Sequence, residues 1–228
     1  MSRNPLIVAA DVSDPAAAEA LSRELSGLIA YLKIGLELFT AAGPSAVLQA
    51  RLHAPVFLDL KLHDIPNTVQ AAARNAGGMG AGLLTVHALG GPDMIGAAVK
   101  GAAAGADEAG MEPPQVIAVT VLSSLAGEGL PTPVSLAIEA MAAGAAGAVV
   151  SGQEVGEVRD ALGAGAILVV PGIRPGGLPA NDHTRVLSPA EAMERGADYI
   201  VVGRPVTGSP DRSAAARAIL AEVGAWAQ

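Results

Sequence analysis

The sequence predicts an α/β fold, a single (β/α)8 TIM barrel spanning residues 1–228. Three observations predict it. Short apolar, β-branched runs alternate with Ala-rich, helix-favouring segments along the whole chain, the pattern of parallel βα units. There are eight such runs in 228 residues, which suits one closed barrel. Polar residues also collect at the C-terminal ends of the runs, as they would if all eight ends surrounded one mouth. An open doubly wound sheet is the alternative, because periodicity alone does not count closure. No linker or composition shift marks a second domain.

The first run, Leu6–Ala10, ends at Asp11, and a helix is expected over Pro15–Ser26. The second, Ile29–Ile34, carries Lys33 near its end and precedes a helix at Pro44–Leu52. The third, Val56–Leu60, ends in Asp59-Leu60-Lys61, with a helix over Thr68–Gly77. The fourth, Leu83–His87, leads through Gly90-Gly91 to Pro92–Ala106. The fifth, Gln115–Leu122, runs into Ser123 and Ser124 before a helix at Pro133–Ala143. The sixth is Ala148–Ser151. The seventh, Ile167–Val170, opens into Pro171-Gly172-Ile173-Arg174, and the eighth, Tyr199–Val202, into Gly203-Arg204. Strand ends are wetter than strand middles in any fold, which accounts for hydroxyls. It accounts poorly for two Asp and two Lys inside apolar termini.

Composition narrows the function. Hydrophobic residues make up 51% of the chain, enough for a sizeable core built from Ala, Val, Leu and Ile, since aromatics are only 2%. The formal charge of −8 argues against a nucleic-acid partner, yet a small anionic substrate needs only a few local cations. The absence of cysteine excludes disulfides and thiolate metal sites. Asp11 interrupts the apolar run at the N-terminus, so no signal peptide is expected. The long weakly charged stretch Asn75–Pro92 carries six glycines and makes a poor membrane helix. A cytoplasmic protein without a membrane partner is expected.

The chemistry concentrates in Phe57-Leu58-Asp59-Leu60-Lys61-Leu62-His63-Asp64. Residues two apart in a strand share a face, so Asp59 and Lys61 should point together and Leu58 and Leu60 away. Buried charges need partners, and an internal salt bridge would serve stability alone. Two further charges, Lys33 on a neighbouring strand and Asp64 just beyond, suggest more. Flanking carboxylates favour a lysine's charged form, and a protonated lysine in a partly dry cavity can stabilise and protonate a carbanion. Glycine followed shortly by arginine, in Gly172-Ile173-Arg174 and Gly203-Arg204, fits the phosphate loops that barrels place after strands seven and eight. Arg174 could equally be a surface charge. His87 reads as a hydrogen-bonded structural histidine near the mouth. His63 lacks the companions of a zinc site, so no metal is expected.

The run Asp59-Leu-Lys-Leu-His-Asp-Ile-Pro-Asn-Thr68 resembles the signature of orotidine 5'-monophosphate decarboxylases. The resemblance extends along the chain through Ala9-Ala-Asp11, Leu32-Lys-Ile-Gly35, Val86-His-Ala-Leu-Gly-Gly91, Ala118-Val-Thr-Val-Leu-Ser-Ser124, Val170-Pro-Gly-Ile-Arg-Pro175 and Val202-Gly-Arg-Pro-Val-Thr207. It implies loss of CO2 from pyrimidine C6 with neither cofactor nor metal. Lys61 would protonate C6, and Asp59 would lie against the departing carboxylate. Asp11 and Lys33 would hold ribose hydroxyls, and Ser123, where the family often has Thr, the pyrimidine edge. Pro171, Arg174, Gly203 and Arg204 would line the phosphate end. A homodimer is implied, with Asp64, Ile65 and Thr68 reaching into the partner's site. In the family a lid over the phosphate contributes a Gln; His183 stands at the matching place here, as a phosphate donor or as a solvated loop histidine. The nearest rival is a magnesium-dependent sugar-phosphate lyase of hexulose-phosphate synthase or ketogulonate-phosphate decarboxylase type. Such relatives generally carry an acidic residue where this chain has Lys33. A non-catalytic phosphate-ligand sensor on a barrel scaffold is a second rival.

Overall fold

The computed structural model describes residues 4–120, 131–175 and 187–224. Eight parallel strands pair in sequence order, and the eighth returns to the first to close a barrel. They are β1 (Leu6–Ala9), β2 (Tyr31–Gly35), β3 (Val56–Leu62), β4 (Leu83–His87), β5 (Gln115–Val119), β6 (Gly147–Val149), β7 (Ile167–Val170) and β8 (Tyr199–Val202). The open-sheet alternative is thereby removed. Around them run α1 (Pro15–Glu24), α2 (Leu36–Ala42), α3 (Pro44–Ala50), α4 (Pro66–Gly78), α5 (Gly91–Ala109), α6 (Pro133–Ala142), α7 (Val155–Leu162), α8 (Pro189–Glu194), α9 (Arg204–Thr207) and α10 (Arg212–Glu222).

Strand alternation divides the apolar residues into two bodies. Ile7, Ala9, Phe57, Leu83, Ile117, Ile167, Val169, Tyr199 and Val201 fill the barrel interior. Leu6, Val8, Leu58, Leu84, Ala118 and their like face outward onto the helices. Helix starts follow local chemistry. Proline occupies the first turn of α1, α3, α4, α5, α6 and α8, where its missing N–H is not needed. Ser188 and Glu191 complete a capping box at α8.

Several expected boundaries shift. The helix expected at Thr68–Gly77 begins at Pro66, because proline at its first position pre-sets the turn. The run expected at Ala148–Ser151 ends at Val149; the Ser151 carbonyl accepts from the N–H groups of Glu154 and Val155, which turns the chain into α7. The second strand is Tyr31–Gly35 rather than Ile29–Ile34, and α2 was not foreseen. The fifth ends at Val119, with Thr120 already outside the strand, and residues 121–122 of its expected run lie outside the described residues. No described helix is long and apolar enough to cross a membrane.

Helices α4 and α5 cross at backbone contact. A Cβ on Gly101 would stand 2.1 Å from the Gln70 carbonyl oxygen, and one on Gly105 1.8 Å from that of Arg74. Only glycine permits this approach, and it holds α4 against the barrel with its N-terminus at the mouth. At the opposite end, Arg159 of α7 binds the Asp198 carboxylate at 2.5 Å and the carbonyls of Gly196 and Ala166. That knot ties β7 to β8 away from the chemistry.

Candidate active site

The charged residues meet at the C-terminal mouth. Asp59 is their centre. Its Oδ1 accepts from Lys61 Nζ at 2.8 Å, and its Oδ2 lies 3.6 Å from Lys33 Nζ. Lys33 Nζ also reaches Asp11 Oδ1 at 3.3 Å. Two ammonium groups and two carboxylates therefore form one chain across β1, β2 and β3. The side chains of Asp59 and Lys33 are only 13% and 14% exposed, so these charges are held in contact, not merely near one another. Lys61 is 33% exposed, and Asp11, at 61%, is the most open of the four.

The strand that presents them is not regular. Plain two-residue alternation was expected for Asp59 and Lys61. Instead, between Leu58 and Leu62 β3 advances four residues while β4 advances only from Leu84 to Val86. This bulge gives Lys61 a φ of 50°, a left-handed conformation that a residue with a Cβ seldom adopts. Leu58 and Leu60 still face the helices, as expected. Thr85 of β4 fits into the bulge: its hydroxyl accepts the Lys61 backbone N–H at 2.8 Å and donates to Asp59 Oδ1 at 3.0 Å. Sequence reasoning missed Thr85. The sequence offered only a threonine inside the apolar run Leu83–Val86; its complete burial is seen in the structure.

These groups line a cavity of about 230 Å³. Lys33, Asp59 and Lys61 form one side; Val119, Val149, Val169 and Val201, from β5 to β8, form an apolar side opposite, with Ser151 and Pro171 at the rim. A larger hollow of about 660 Å³ lies outside the barrel over Leu58, Leu60 and Phe39. Its charged lining, Arg74 and Glu108, is an exposed pair that neutralises itself. Convergent charge belongs to the smaller cavity, and the site is placed there.

Other expected residues fall around the mouth. A Cβ on Gly203 would stand 3.5 Å from Asp11 Oδ2, so the loop after β8 adjoins the charged chain. Arg204 follows it, exposed, at the start of α9. Arg174 is half-buried after β7, its N–H donating to the Leu187 carbonyl at 3.1 Å. Asp64, Ile65 and Thr68 are all exposed. The expected fourth member of the charged array, Asp64, makes no ion pair with either lysine of its own chain; its carboxylate accepts the Ile65 N–H at 2.6 Å. Ser123 and His183 lie outside the described residues. His87 is a buried structural histidine, stacked on His63 with centroids 5.1 Å apart and accepting the Leu89 N–H at Nδ1. Burial above all, and then the neighbouring His63 and Lys61, hold its imidazole below the ordinary range.

Fold and geometry define a (β/α)8 barrel with a chain of paired lysines and carboxylates at its C-terminal mouth. Residues 4–219 match the family model described as "Orotidine 5'-phosphate decarboxylase / HUMPS family". A protein named orotidine 5'-phosphate decarboxylase from Anaeromyxobacter sp. (strain K) is 52% identical, covering 95% of this chain and 96% of its own. One of the same name from Moorella thermoacetica is 44% identical, over 97% and 93%. The crystal structure of orotidine 5'-phosphate decarboxylase from Lactobacillus acidophilus superposes with a TM-score of 0.84 at 36% identity, covering 97% of this chain and 99% of that one. The chain belongs to the orotidine 5'-phosphate decarboxylase / HUMPS family.

Proposed function

We propose that this chain decarboxylates orotidine 5'-monophosphate to UMP, as a single-domain catalytic barrel that works as a cytoplasmic homodimer. The observation that carries the reading is Asp59 shared between Lys61 and Lys33 at the cavity, in a chain whose relatives bear the decarboxylase name.

The phosphate is assigned to the loops after β7 and β8, with Arg204 and Arg174 as cations and Pro171 and Gly203 as backbone walls. Asp11 and Lys33 take ribose hydroxyls. The valine wall faces the pyrimidine ring. On the family resemblance, Ser123 takes the ring edge and His183 the lid contact. Bound in this way, the substrate carboxylate lies beside Asp59. The bond from C6 to the carboxylate breaks, its electron pair stays on C6, and CO2 leaves. The Lys61 ammonium then gives a proton to C6, and the neutral amine is reprotonated from water. Repulsion by Asp59 disfavours the bound carboxylate. The attraction of Lys61 for the carbanion is the larger effect, because that charge exists only as the bond breaks.

Lys33 favours this reading over the magnesium-dependent lyase. Its ammonium stands between Asp11 and Asp59, where a divalent cation would otherwise find its ligands. The test is a spectrophotometric assay with orotidine 5'-monophosphate in EDTA. Turnover unchanged by the chelator is expected. A requirement for added magnesium, or no turnover by folded protein, overturns the reading.

The exposure of Asp64, Ile65 and Thr68 supports the dimer. Ile65 is 65% exposed on the mouth side of α4, and Leu89 nearby is 38% exposed. A second copy seated there would cover both and would bring Asp64 to the opposite cavity as the missing carboxylate.

A further inference from the structure

One polar group at the centre has no role in the chemistry just described. Thr85 sits in the middle of β4, fully buried, with its hydroxyl between the Lys61 backbone and the Asp59 carboxylate. The direction of each hydrogen bond is determined. A backbone N–H only donates, and an ionised carboxylate only accepts. The single hydroxyl proton therefore goes to Asp59 Oδ1, and an oxygen lone pair receives the Lys61 N–H. The same Oδ1 accepts from Lys61 Nζ at 2.8 Å. The links close a ring that leaves Lys61 at its backbone, passes through Thr85 and Asp59, and returns to Lys61 at its ammonium.

We propose that Thr85 is a positioning residue for the decarboxylation, clamping the left-handed backbone of Lys61 and the carboxylate of Asp59 into one unit that aims the ammonium. The proposal rests on the function proposed above. Its physical basis is the bulge. In a regular parallel ladder the Lys61 N–H would find a carbonyl of the neighbouring strand; here it finds the Thr85 hydroxyl instead. Without that hydroxyl the N–H would lose its partner inside the strand, which costs stability. The left-handed φ is strained for a residue with a Cβ and adds to the pull away from this conformation. Relaxation would turn the Lys61 backbone toward the ordinary β region, and the Cα–Cβ bond would turn with it. Asp59 would also keep one fewer donor to fix its rotamer. Phosphate and ribose contacts come from other strands and would be left in place.

This separates positioning from mere support of the barrel. Thr85→Val matches the shape and deletes the hydroxyl, and Thr85→Ser keeps the hydroxyl. Steady-state kinetics with orotidine 5'-monophosphate should show kcat reduced about a hundredfold in the valine protein. KM should stay within about threefold, and the serine protein within about threefold of wild type in both constants. If the valine protein does not fold, Thr85→Ala is measured against the same serine control. A crystal structure of the hydroxyl-less protein should show Lys61 out of its left-handed conformation and Nζ away from Asp59. Near-wild-type kcat without the hydroxyl, an equal fall in the serine protein, or a loss confined to KM would each overturn the proposal. Should wild-type protein fail to turn over this substrate, the parent reading falls, and the crystal structure alone decides the clamp: an unmoved Lys61 ends it.

Discussion

Arg204 is exposed beside the loop that touches Asp11, and its proposed partner is a phosphate. A charge-assisted pair of this kind is worth about 1.5–3 kcal/mol. Arg204→Ala should accordingly weaken UMP about ten- to a hundredfold in a calorimetric titration and leave uridine nearly unchanged. Equal losses for nucleotide and nucleoside would remove Arg204 from the phosphate site. His87 makes a different prediction. Its imidazole is held below the ordinary range in the folded chain, so the unfolded chain takes up the proton first as pH falls. The stability it contributes is complete above the ordinary value of about 6.5 and declines as pH falls from there toward its own lower value. Urea midpoints measured from pH 7.5 to 5 should fall more steeply for wild type than for His87→Gln. Parallel slopes would show that His87 does not set this dependence. At this scale the sequence revealed the expensive residues. Asp59, Lys61 and Lys33 were legible because charge in an apolar strand needs a reason. Thr85 was not, since a strand threonine is ordinary until its neighbours are known.

Among the elements, the α4–α5 crossing does the positioning. Gly101 and Gly105 let the two helices approach until backbone meets backbone. Gly105→Ala has no room for its methyl, and should destabilise the protein by about 1–3 kcal/mol, read as a lower melting temperature. Because α4 begins at the mouth, the same substitution should also shift the segment at Asp64–Thr68. An unchanged melting temperature would mean that the crossing yields more readily than its geometry suggests. The strands and most helix starts were readable from runs and prolines, because those signals are local. The two-residue excess in β3 was not. A bulge is a relation between two strands, and the period-two pattern of Asp59 and Lys61 looks the same with or without it.

For the whole molecule, eight units in this length pointed to closure but left an open sheet possible, and the structure closes them. Assembly is less accessible, because one chain's sequence carries no direct trace of a neighbour's surface. The proposed shared site has a direct consequence. Asp64→Ala and Lys61→Ala proteins should each be nearly inactive, and heterodimers formed from them should regain activity. One of the two cavities in each heterodimer would combine an intact Lys61 with an intact Asp64. Heterodimers shown to form, yet no more active than their parents, would remove Asp64 from the neighbouring cavity.

The bulge in β3 also bears on how this barrel could drift or be engineered. Lys61 is the one described non-glycine residue with a positive φ. Glycine would relieve about 1 kcal/mol of that backbone strain, but would bring no amine and would take from Asp59 its nearest cation. Under the proposed mechanism, a glycine here would give a locally relaxed and silent barrel. Under that mechanism, demand for product is what keeps the strained lysine in place.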